Sequence, residues 1–166
     1  AQRFTWACNR YQLVTRVTGE HQFKLGDEGW SADADFGTGP EERVLIKGPE
    51  FKRRFAGATR FTLTWLPQPA LQIESCPMDA PPLADTTLYL RGTMHNWGAL
   101  DDAAFQFSCD AYYLNIDVKG RHEFKIADTA WKDATSFGAG QDAYLKEGGA
   151  ALTREFNGEH TLRLAW

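Results

Sequence analysis

Lys24 and Trp30 stand six residues apart in "FKLGDEGW", and Lys125 and Trp131 stand six apart in "FKIADTAW". These are the residue types a shallow binding site would use. An exposed indole is a flat apolar platform with an N–H at its edge. A pyranose ring offers it a C–H face, while a lysine ammonium hydrogen-bonds the hydroxyls around the ring. The same tryptophans would equally plug the end of a β-sandwich, and residue types alone leave both readings open. Six tryptophans in 166 residues suit a β-rich core, so only placement separates platform from plug.

Other chemistries find few residues to carry them. There is no G-x-S-x-G, H-E-x-x-H, C-x-x-C or glycine-rich phosphate loop. His21 and His122 fall on the apolar face of a strand, where a structural role is expected. Asp33 and Asp35 offer calcium-type oxygens, but the residues 101 positions on are Ala134 and Ser136, and no metal or cofactor is assigned. Paired carboxylates for glycoside cleavage need an enclosing cleft, which two small sandwiches rarely form, so no catalytic residue is assigned. With 18 basic and 22 acidic residues, a net charge of −4 and no basic stripe, no nucleic-acid partner is expected. No apolar run approaches the roughly 18 residues of a membrane span. No signal peptide is recognised, so the chain reads as a mature or excised segment.

The elements that must position these residues occur twice. At an offset of 101, residues 1–65 align with 102–166 without a gap, and twenty positions are identical, including Lys24, Asp27 and Trp30 with their twins. A period this long fits tandem domains rather than a solenoid. The expected boundaries are a first module at 1–65, a linker at 66–87 holding five of the seven prolines, and a second module at 88–166. Residues 88–100, "LYLRGTMHNWGAL", match nothing in the first copy, so the first module is expected to lack its opening strand. Residues 112–118 alternate apolar and polar, as a half-buried antiparallel strand does. "KGR" at 119–121 predicts a reversal into a second strand, with Phe124 inward and Lys125 outward. Asn157-Gly158 predicts a type I′ hairpin. Short strands with frequent turn signals predict an all-β fold, two tandem immunoglobulin-like β-sandwiches.

"LYLRGTMHNWG" and "GRHEFKIADTAW" together resemble the starch- and glycogen-binding modules of early-set immunoglobulin-like fold that accompany pullulanases and amylases. Similar modules occur in the β subunit of AMP-activated protein kinase. The resemblance rests on Gly92, Thr93, Met94, His95, Asn96 and Trp97, then Gly120, His122, Phe124, Lys125 and Trp131. It covers most of 88–166 and, less the opening strand, 1–65. His95 stands where asparagine is commoner, and the first copy has no counterpart of Trp97. The resemblance implies that Trp97, Lys125 and Trp131 contact α-glucan, with Asn96 as a further amide contact and Lys24 and Trp30 as a lesser pair. It implies a non-catalytic tether for maltooligosaccharides or α-glucan polysaccharide, covalently joined to a catalytic domain in a secreted or periplasmic bacterial protein. The alternatives are a structural spacer with buried tryptophans and, less so, a hydrolase in its own right.

Three cysteines complete the reading. Cys8 and Cys109 are repeat twins, whereas Cys76 has no twin within the sequence. A Cys76–Cys109 disulfide is therefore expected in an oxidising compartment, with Cys8 outside it. Three buried thiols are the alternative.

Overall fold

The computed structural model describes residues 2–78 and 80–166, without the side chain of Ala7. Five strands of the first copy recur in the second. They are β1 (Thr5–Ala7), β2 (Arg10–Phe23), β3 (Phe36–Thr38), β4 (Val44–Ile46) and β5 (Phe51–Thr64). Their twins are β8 (Gln106–Ser108), β9 (Ala111–Ala127), β10 (Ser136–Ala139), β11 (Leu145–Glu147) and β12 (Leu152–Ala165). The chain is all-β, built from antiparallel sheets in keeping with a β-sandwich. It divides into two compact units, Ala1–Asp79 and Ala80–Trp166.

In the second unit β9 is the spine. It pairs with β12 from Ala111↔Ala165 to Phe124↔Leu152, one residue to one residue throughout. Its other edge carries β8 at the start and β7 (Tyr89–Gly92) at the end, and β10 joins at Ile126 and Ala127. The period of two sends Tyr112, Leu114, Ile116, Phe124 and Ile126 into the core with Phe137 and Phe156. Leu88 and Leu90 seal it and expose no surface.

Two expected reversals are instead bends within continuous strands. Gly120 (φ +96°) lies inside β9 opposite Phe156, and Gly158 (φ +124°) lies inside β12 opposite Val118. Positive φ at each glycine lets the ribbon coil sharply while every pair is kept. A glycine turn signal looks the same whether the chain reverses or only bends, and here the facing strand is long enough to pair straight through. Gly19 and Gly57 do the same between β2 and β5. The histidines belong to these bends. His122 Nε2–H donates to Lys119 O at 3.0 Å, and His21 Nε2–H to Thr18 O at 2.8 Å. His21 is exposed and His122 half-buried, where the sequence alternation placed both inward.

The first unit has the sheet order β1-β2-β5-β6, with β3 and β4 as a separate ribbon joined through the Leu25–Phe36 bridge. β6 (Ala70–Ser75) lies within 66–87, expected as linker, and pairs with Thr59–Thr64 of β5. Pro67, Pro69 and Pro77 flank it, where no ladder donor is lost. Cys76, just past β6, and Cys109, in the turn between β8 and β9, are disulfide-bonded. Cys8 is exposed and outside that bridge.

Candidate functional site

The face of the second sheet turned away from the core carries the site. Leu90 and Ile126 pair inward, so their neighbours Arg91 and Lys125, also opposite one another, share the outer face. Arg91 is nevertheless buried, at 8% exposure, because the loops fold over it. Its guanidinium carbon lies 4.0 Å from the centre of the Trp131 ring. Its Nε–H donates to Trp97 O at 2.9 Å, and Nη1 donates to Asp128 O at 2.7 Å and Thr129 O at 3.1 Å. One side chain thus ties the loop after β7 to the loop after β9. Desolvation lowers the Arg91 pKa, with the Asp128 charge opposing, and the guanidinium stays charged at any physiological pH.

Both loops hold their tryptophan in the left-handed region: φ is +48° at Asn96, +61° at Trp97 and +57° at Trp131. Such backbone is costly for a bulky residue and persists only when its surroundings enforce it. Trp97 N–H donates to Gly92 O at 2.8 Å. Beyond Trp131, the Asp128 carboxylate accepts the Lys132 N–H at 3.1 Å. Burial pushes the Asp128 pKa up, but the Lys132 amide, the Thr135 hydroxyl and the Lys132 charge outweigh it and leave it lowered. Thr93 adds a further tie, accepting the Glu123 N–H at 3.2 Å and meeting His122 Nδ1 at 3.0 Å.

The outcome is two adjacent indoles, centroids 6.2 Å apart and planes inclined at 47°, each half-buried. Lys125 is half-buried on the same sheet face and has no ion-pair partner among the described residues. Asn96 is exposed beside Trp97. The fold therefore gathers Trp97, Trp131, Lys125 and Asn96, from two separated stretches, around Arg91.

In the first unit the Asp27 carboxylate accepts the Ser31 N–H at 2.8 Å and the Ser31 hydroxyl at 2.6 Å, which lowers its pKa. Trp30, at φ +52°, is 61% exposed. Lys24, however, is ion-paired with Asp35 at 2.5 Å and largely covered. The twin of Asp35 is Ser136, which cannot neutralise Lys125. Asp35, weighed above as a calcium oxygen, thus serves Lys24.

Sequence reasoning missed Arg91 and the Asp27/Asp128 pair. The aspartates were among the twenty shared positions and so carried a signal. Arg91 has no twin in the first copy, and comparing the copies could not single it out. Comparison with protein-family models, curated proteins and solved structures gives no match.

Proposed function

We propose that the second unit is a non-catalytic carbohydrate-binding module of the immunoglobulin-like type, which holds α-glucan chains for a hydrolase of the pullulanase or amylase kind in a secreted or periplasmic protein. The observation that carries this reading is the convergence of two inclined indoles with an unneutralised lysine on one outer sheet face. Each indole offers a C–H-binding plane, and Lys125 and Asn96 supply donors at the ring edge. The Cys76–Cys109 bridge suits an oxidising compartment. The first unit, with Lys24 engaged by Asp35, is at most an auxiliary platform through Trp30. A second weak contact with the same polymer would still add avidity.

Titration calorimetry with maltoheptaose tests the proposal. Trp131→Ala is expected to weaken binding about tenfold, from the loss of on the order of 1 kcal/mol of stacking, with the fold retained by circular dichroism. Trp30→Ala is expected to leave oligosaccharide affinity unchanged while reducing retention on glycogen. The half-burial of Trp131 over Arg91 favours the spacer reading as the second choice. A wild type that does not bind, or a Trp131→Ala protein that unfolds, would favour it, whereas a folded Trp131→Ala protein that binds unchanged would place the sugar site elsewhere.

A further inference from the structure

We propose that the first unit accepts a β-strand: the open edge at Phe23–Gly26 and the groove beside it take up an extended segment of a partner polypeptide carrying the order apolar–x–apolar–Arg–Gly. The groove has a volume of about 950 Å³, and Leu13, Val17, Phe23, Leu25, Phe55 and Leu63 are among the residues lining it. Their twins are Leu114, Val118, Phe124, Ile126, Phe156 and Leu164, the residues that form or flank the second unit's core. There the same surface is covered by the segment ending in β7. Leu88 and Leu90 are wholly buried on it, Tyr89–Gly92 pair with Phe124–Ala127, and the Leu83 N–H donates to Tyr112 Oη at 3.2 Å. The twins of Phe124–Ala127 are Phe23–Gly26, and among the described residues no strand covers that edge. The consequence is visible side chain by side chain: Tyr112 is 3% exposed, and its twin Tyr11 is 39% exposed.

Charge complementarity points to the arginine. Asp27, Glu28 and Asp33 line the groove together with two cations, Arg3, 3.7 Å from Glu28 in an exposed pair, and Lys24, already paired with Asp35. In the second unit Arg91 takes the main-chain oxygens of Asp128 and Thr129 and stacks on Trp131. Asp27, Glu28 and the exposed Trp30 stand at the twin positions in the first unit, with no cation–ring contact at Trp30 among the described residues. An entering arginine would meet an indole face, two carbonyls and an acidic rim together. Main-chain pairing supplies affinity in such strand addition, and the alternate side chains supply specificity.

The test adds a synthetic peptide of residues 80–98, "APPLADTTLYLRGTMHNWG", to the 166-residue protein. The expected result is one peptide bound per chain, slower hydrogen exchange at Phe23–Gly26, and a higher melting temperature for the first unit. A peptide carrying Leu88→Asp and Leu90→Asp should not bind, and Arg91→Gln should bind roughly tenfold more weakly. Absence of binding, or perturbation at Phe124–Ala127 instead, would overturn the proposal. So would sedimentation showing that a second copy of the chain already fills the groove, or displacement of the bound peptide by maltoheptaose.

Discussion

Arg91 illustrates how one buried cation can organise a candidate site from beneath, through Trp131 and the Trp97 carbonyl. A desolvated cation–ring contact contributes about 2 kcal/mol, and each carbonyl left without its donor costs roughly 1–3 kcal/mol. Arg91→Met should therefore act on geometry: the near-ultraviolet circular dichroism of the coupled Trp97 and Trp131 should collapse while the far-ultraviolet spectrum persists, and maltoheptaose affinity should fall at least tenfold. Arg91→Lys should restore part of both. Unchanged near-ultraviolet dichroism would show that the loops hold the indoles without it. Asp128 sets the acid limit. Its folded pKa is lowered below the ordinary 3.8, so its stabilising contribution is present above that value and is lost as pH falls below it. Trp131 fluorescence should then stay constant from neutral pH down to about 4 and change only in more acidic solution. A transition near pH 6 would implicate another group.

At the scale of elements, the coiled two-strand ribbon depends on its glycines in two different ways. Gly120 needs a backbone conformation that L side chains rarely adopt, yet a Cβ there meets only His122 Nε2, at 3.8 Å. Gly138 has ordinary backbone, but a Cβ there would overlap the carbonyl oxygens of Ala150 and Gly149, where β10 passes that segment. Gly120→Ala should cost on the order of 1–3 kcal/mol. In a unit of this size that lowers the melting temperature by roughly 5–20 °C. Gly138→Ala should cost more, because backbone rather than a flexible side chain must give way. Thermal denaturation of the two variants checks the order. Equal stabilities would mean that the tight approach relaxes more easily than the bend.

At the scale of the whole molecule, two copies of one pattern end unequally. Among the described residues, the second unit buries twelve in its main cluster and the first buries five. Hydrogen exchange should therefore show β2 and β5 less protected than β9 and β12 in the isolated protein. Equal protection would contradict the exposed seam. The disulfide spans a 33-residue separation from Cys76 to Cys109. By loop-closure entropy it contributes up to about 4 kcal/mol, so the Cys76→Ser/Cys109→Ser double variant should unfold at markedly lower denaturant concentration.

The 101-residue repeat determined by itself that the chain folds as two like units, because side-chain alternation and turn residues recur in register and each encodes the same local strand. It likewise marked Lys24, Trp30, Lys125 and Trp131, and the cysteine that has no twin. Which glycines bend and which reverse the chain was not legible, since that depends on whether a facing strand continues past them. Nor could alternation show that Lys24 is consumed by Asp35 while Lys125 is not, a difference created by one position, the residue just before β3 in the first copy. Only the tertiary structure placed Trp97, from before β8, against Trp131, from after β9. Their approach is enforced by a buried arginine whose partners are main-chain carbonyls, and main-chain carbonyls leave no trace in a sequence.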